Sequence, residues 1–314
     1  MPKNGSPKLK FKFKPQPAPE ETPGVAFMNG EFMPMSECKI SVLDWGFLRS
    51  DATFDVVHVW KGRFFRLDKH LDRFLNSCAK LRLELPVDRE GLQEVLMECV
   101  RRSKLQDSYV EMIATRGMAK NGSRDPREAN HQFIGFAIPF SWIADEEQRE
   151  RGLKLVISTI PRIPAASLDP TIKNYHRLDF VNALFECYER GGEMVVMPAL
   201  DGTITEGPGF NVFVVEKGKI ATPNSGVLEG ITRMTVMELA GEMGVDAFMR
   251  PISAEELKRA DEVFVTSTAG GVMAVTQVDD TVIRNGAPGS FTRELTELYW
   301  KKHTDPKWST PVDY

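Results

Sequence analysis

Three groups with chemical capacity follow one another over residues 168–233. Lys173 stands in Asp169-Pro170-Thr171-Ile172-Lys173-Asn174-Tyr175, near a helix start. Glu206 ends a strand and leads into Gly207-Pro208-Gly209-Phe210-Asn211, and Leu228-Glu229-Gly230-Ile231-Thr232-Arg233 opens a helix. A lysine amine condenses with an aldehyde and can afterwards shuttle a proton. A carboxylate in a fixed place keeps a nearby ring nitrogen protonated. A helix N-terminus offers free N–H groups and the positive end of the macrodipole to an anion such as phosphate. Taken singly each group says little: a lone lysine is usually a solvated surface charge, and a lone Gly-Ile-Thr is usually a turn into a helix. The ordered set is specific.

The elements that must position these groups are legible from pattern. A helix is expected over 177–189. Met194-Val195-Val196-Met197 runs toward an Asp201-Gly202 turn and returns as Thr203-Ile204-Thr205, and a second hairpin turns at Lys217-Gly218. In the first half, strands over 25–28 and 31–33 flank Asn29-Gly30, the strongest two-residue hairpin signal. Short strands are expected over 41–47 and 51–57, then a hairpin over 58–65. Leu71, Phe74, Leu75, Cys78 and Leu81 recur at helical spacing over 67–81, and Leu92, Val95, Leu96 and Val100 repeat it over 88–103. Strands over 109–117 and 132–138 flank a Gly- and charge-rich loop. Together these predict a β-rich sheet with two helices packed on it. Residues 141–151 read as a linker, and the second half alternates strands and helices up to a helix over 293–302 and an irregular tail. Residues 1–24 are rich in Pro and Lys; 8–14 alternates like a short strand, but the Pro-rich sequel favours an extended arm.

Composition narrows the function classes. The 314 residues, 42% hydrophobic and 27% charged, suit a globular protein with ample core. A net charge of −4 argues against a dedicated nucleic-acid binder. No apolar run approaches the ~18 residues of a membrane span, and the N-terminus lacks the apolar core of a secretory signal. The four cysteines are widely separated and read as reduced thiols of a cytoplasmic protein. The five histidines are scattered, so no metal site is expected.

From about Ala26 to Trp300 the chain resembles the fold-type IV family of pyridoxal phosphate enzymes, the class IV aminotransferases. The resemblance implies an α+β fold, with a small N-terminal α/β sandwich-like domain (25–140), a linker (141–151) and a larger domain (152–314) whose β-barrel-like sheet and helices bind pyridoxal 5′-phosphate. Residues 1–24 remain a flexible arm. By the same resemblance Lys173 is the Schiff-base lysine and Glu206 the partner of the pyridine nitrogen. Ile231 and Thr232 offer donors to the phosphate, Arg73 reaches it from the first helix, and Ser267 and Thr268 complete the cup. Asn211 fixes the loop after Glu206, and Tyr175 either bonds near the lysine or simply packs.

Residues 51–60, 138–143 and 268–272 look most like the (R)-selective amine transaminases. Members of that group carry histidine, tyrosine and tryptophan where Arg49, Phe54 and Arg177 stand here. These three, with Tyr109, Glu111, Arg127 and Ala269, are the expected substrate-facing residues. A guanidinium at Arg49 would receive a carboxylate, helped by Arg124 and Arg127; the alternative is an ion pair with Asp51 or Asp44. Glu111 either steers Arg49 or a ligand, or pairs with Arg116. The implied reaction is ping-pong transfer of an amino group from an (R)-amine or D-amino acid to a 2-oxo acid such as pyruvate, by a homodimer. The alternatives are a branched-chain L-amino acid aminotransferase and an aminodeoxychorismate lyase-like enzyme.

Overall fold

A computed structural model describes residues 23–314; the N-terminal arm, with its alternating stretch over 8–14, lies almost wholly outside the described residues. The first half runs β1 (Val25–Met28), β2 (Glu31–Pro34), α1 (Trp45–Arg49), β3 (Ala52–Trp60), β4 (Arg63–Phe65), α2 (Leu67–Leu81), α3 (Arg89–Ser103), β5 (Ser108–Ala119) and β6 (Ala129–Pro139). The second half begins with α4 (Glu146–Arg151), β7 (Leu153–Ile157), α5 (Leu178–Glu189), β8 (Met194–Val196), β9 (Glu206–Gly207), β10 (Phe210–Glu216) and β11 (Lys219–Thr222). It continues with α6 (Ile231–Glu242), β12 (Ala247–Met249), α7 (Ala254–Arg259), β13 (Glu262–Ser267), β14 (Gly271–Val278), β15 (Thr281–Val282), α8 (Ser290–Lys301) and β16 (Ser309–Pro311).

Seven strands form the first sheet, antiparallel throughout, in the order β16-β4-β3-β5-β6-β1-β2. Its tight turns are local consequences of sequence. Asn29 and Gly30 both take positive φ (54° and 86°), as do Lys61 and Gly62 (50° and 71°), which matches the twist of the flanking strands. Along β3 the side chains alternate. Val57 and Val59 enter a core shared with Leu71 and Phe74 of α2 and Leu92 and Leu96 of α3. Phe54, Val56, His58 and Trp60 take the opposite face, toward the second half of the chain.

The second sheet has nine strands, with the path β12-β11-β10-β13-β14-β7-β8, while β9 pairs with β10 and β15 with β14. Alternation again divides two cores. Val212, Val214, Val263 and Val265 pack with Leu257 of α7, whereas Phe213, Val215 and Phe264 pack with α6 and α8. Helix α5 covers β7 and β8 through Phe180, Ala183 and Cys187.

Four local expectations change. Residues 41–47 do not form a strand: the Asp44 carboxylate accepts the Gly46 N–H at 2.6 Å and starts the short helix α1. Residues 141–151 are not all linker, because a capping box between Asp145 and Gln148 opens α4. The tail is not irregular at its end; β16 pairs with β4, carrying the last residues back to the first sheet. The histidines are not all scattered either, since His58 Nε2 and His303 Nε2 lie 2.7 Å apart, buried beneath Trp300 and Phe65.

Candidate active site

The segment before α5 is fastened to β3, and this places Lys173. The Lys173 carbonyl accepts from the Thr53 hydroxyl at 2.8 Å and from the Phe54 N–H at 3.1 Å, and Thr53 forms an isolated bridge with Asn174. The amine lies 4.4 Å from the centroid of the Phe54 ring. Burial, and next the Arg73 guanidinium, pull its pKa down to about 8. The neutral, nucleophilic amine is therefore far more populated near neutral pH than in an exposed lysine.

Glu206 is held from three sides. Strand pairing sets it opposite Asn211, the Leu228 N–H donates to it at 2.8 Å, and Arg162 donates to it at 3.1 Å. Asn211 in turn donates to the Leu228 carbonyl at 3.0 Å, so its side chain holds the segment before α6 rather than the loop after Glu206. Burial raises the pKa of Glu206, and the Arg162 charge opposes that rise. Arg162 also donates to Asp179 and stacks on Phe180, 4.0 Å from the ring centroid.

Helix α6 begins after Gly230 without any side-chain cap, leaving its first N–H groups free. A Cβ at position 230 would meet the Asn211 Oδ1 at 2.1 Å, so only glycine lets the two segments approach this closely. Arg73 donates to the Glu229 carbonyl at 3.0 Å, which puts its guanidinium beside that helix entry. Its other nitrogens bind Asp55 at 2.7 and 2.8 Å, and His70 Nδ1 meets the same carboxylate at 2.8 Å. Burial alone would raise the Asp55 pKa; Arg73 and His70 outweigh it and hold the carboxyl well below the usual range.

These groups border one cleft of about 640 Å³, lined by Arg73, Lys173, Glu206, Asn211, Ile231, Thr232, Ser267 and Thr268 among others. The Thr266 hydroxyl also lines it and is buried without a hydrogen-bond partner. A second chamber of about 900 Å³ adjoins the cleft, sharing Lys173, Arg177, Ser267 and Thr268 with it. Val56, Tyr109, Ile138, Trp142 and Ala269 belong to the chamber. Lys173 thus stands at the junction of two compartments. The cleft can take an anionic group at the α6 entry, a carbonyl at Lys173 and a protonated nitrogen at Glu206, and the chamber can take whatever reacts there. That donor set fits a phosphorylated pyridine aldehyde.

Not every expected substrate-facing residue comes to the chamber. Tyr109, Arg177 and Ala269 line it, and Phe54 lies beneath Lys173, 4.6 Å from the Tyr175 ring. Glu111 sits one layer back and does not pair with Arg116, which binds Asp51 instead. Its partner is Tyr175, which donates to it at 3.2 Å, and burial pushes its pKa up to about 7. Tyr175 is therefore bonded as well as packed. Arg49 is exposed and stacks on Trp45 at 3.5 Å from the centroid; neither Asp51 nor Asp44 pairs with it. Arg127 is exposed and bound to Asp125. Sequence reasoning missed Asp55, His70, Arg162 and Thr266. A signal existed for Asp55, an acid on the same strand face as the buried Val57 and Val59.

Comparisons with known proteins identify the family. The family model for amino-transferase class IV matches residues 52–278. A putative branched-chain-amino-acid aminotransferase of Methanocaldococcus jannaschii is 32% identical over 289 residues, covering 91% of this chain and 98% of its own. A D-alanine aminotransferase of Bacillus licheniformis is 30% identical over 269 residues, covering 85% and 93%. A T.th. branched-chain amino acid aminotransferase, solved with pyridoxamine 5′-phosphate, superposes with a TM-score of 0.87 at 30% identity, covering 92% and 99%. The chain belongs to the class IV aminotransferases, enzymes that work with pyridoxal 5′-phosphate.

Proposed function

We propose that this aminotransferase moves the amino group of a D-amino acid or (R)-amine to a 2-oxo acid such as pyruvate, in two half-reactions at one site. The position of the Lys173 amine at the junction of cleft and chamber is the observation that carries the reading. When bound, the cofactor supplies an aldehyde carbon and a ring that takes up the electron pair released at the donor's α-carbon. Lys173 would hold the aldehyde carbon until the donor's amine takes its place, and the freed Nζ would then take the proton from the donor's α-carbon. Glu206, whose charged form is favoured by Arg162 and the Leu228 N–H against burial, would partner the ring nitrogen. Arg73, Ile231, Thr232, Ser267 and Thr268, which line the cleft around the α6 entry, would hold the phosphate. The similarity to D-alanine aminotransferases supports the choice of hand.

A branched-chain L-amino acid aminotransferase is the second reading, favoured by the apolar chamber wall of Val56, Ile138, Trp142 and Ile143 and by relatives of that name. The test is a half-reaction of holoenzyme with D-alanine, (R)-1-phenylethylamine or L-leucine, followed by loss of the cofactor's visible absorbance. Bleaching by D-alanine or the (R)-amine is expected; bleaching by L-leucine alone would select the second reading.

A homodimer accords with the exposed apolar face of α5, where Leu178, Phe185 and Tyr188 are 77%, 64% and 60% exposed. Light scattering on the eluted protein tests it. Four unpaired thiols accord with a reducing compartment such as the cytoplasm. Among the described residues no helix is long and apolar enough to cross a membrane.

A further inference from the structure

We infer that Arg177 is the receptor for the substrate's carboxylate, which rests on the transaminase reading above and makes amino acids, rather than simple amines, the substrate class. Arg177 stands at the N-cap of α5, and its side chain borders both the cleft and the chamber. Among the described residues its guanidinium makes no hydrogen bond and no ion pair, unlike those of Arg73 and Arg162. Arg73 is bound to Asp55, and Arg162 to both Asp179 and Glu206. The two acids whose charge reaches Arg177 in this part of the site are therefore already taken by Arg162.

The chamber's charge favours Arg177 as the carboxylate's partner. Of the residues that line it, only Lys173 and Arg177 carry a charge, and Lys173 is committed to the carbonyl chemistry. Arg49 and Arg127, the expected receptors, lie exposed on Trp45 and Asp125. A planar fork with five donors binds a carboxylate through two parallel hydrogen bonds. The Phe180 ring, 5.0 Å from its carbon, supports the guanidinium on one side. Burial disfavours an unmatched cation there, and lowers the pKa of Arg177 from its ordinary value. An incoming carboxylate removes that mismatch, whereas an amine without one leaves it in place.

The test uses holoenzyme of the wild type, Arg177→Leu and Arg177→Lys, with Arg177→Gln replacing the leucine variant if that one does not fold. Calorimetric titration with propionate, which carries the carboxylate and cannot react, reads the receptor directly. Half-reactions with D-alanine, L-leucine and (R)-1-phenylethylamine read selectivity. Loss of a charge-assisted pair predicts about 10- to 100-fold weaker propionate binding in Arg177→Leu, partly restored in Arg177→Lys. The ratio of amino-acid to amine kcat/KM should fall by a similar factor, through KM. Unchanged propionate binding would overturn the inference. So would equal losses for amine and amino acid with a shifted cofactor spectrum, which would assign Arg177 to the cofactor instead. A wild type that accepts L-leucine and refuses D-alanine would overturn only the choice of hand, because L-leucine then serves as the amino acid in the same comparison.

Discussion

Arg162 donates to Glu206 across 3.1 Å from a position 44 residues earlier in the chain. Because Arg162 also binds Asp179, a single guanidinium bridges two acids beside the cleft. Removing one member of a buried ionic group leaves the others uncompensated, at a cost of about 3–5 kcal/mol. Arg162→Met should therefore lower the stability of the cofactor-free protein by that amount in urea unfolding, and weaken cofactor retention. A loss below ~1 kcal/mol would mean that the two acids find other partners or take up protons at little cost.

Asp55 gives the fold an acid-sensitive joint. Its carboxyl is held below the ordinary value of 3.8 by Arg73 and His70 against the effect of burial. A carboxyl depressed in the folded state contributes stability in full above its unfolded pKa and loses it as the pH falls toward the folded one. Stability should thus decline as the pH drops below about 4, and Asp55→Asn should flatten that decline while lowering stability at pH 7. Urea midpoints of both proteins from pH 7 to pH 3 decide it. Parallel profiles would show that Asp55 is not the group responsible.

What the sequence disclosed was local. Leu71, Phe74 and Cys78 announce α2 because helix spacing is written in consecutive turns, and Asn29-Gly30 announces its hairpin because the φ requirement lies in two residues. The order of Lys173, Glu206 and Gly230-Ile231-Thr232 disclosed the cleft, since those groups lie close in the chain. Arg162 and Asp55 stayed hidden because their meaning depends on partners brought together by folding. Arg49 shows the same dependence: its charge type suits a receptor, while its position follows from the Asp44 cap, which winds its segment into α1 beside Trp45.

Glu111 and Tyr175 form a hydrogen-bonded pair beside the chamber. Burial raises the pKa of Glu111 to about 7, while the Lys173 charge and the Tyr175 hydroxyl act to lower it. Removing the hydroxyl in Tyr175→Phe should shift Glu111 upward. Carbon NMR of labelled glutamate in the cofactor-free protein should show the wild-type carboxyl titrating near pH 7 and the variant above it. A wild-type midpoint near 4.5, unmoved in the variant, would contradict the arrangement.

Lys173 is the centre of the proposed chemistry, and one measurement addresses it directly. Reducing the holoenzyme with borohydride fixes the cofactor to whichever amine holds it, and peptide mass spectrometry then locates the pyridoxyl group. The prediction is a single modified peptide spanning residues 163–177, uncleaved at Lys173. A pyridoxyl group on another lysine, or on none, would contradict it.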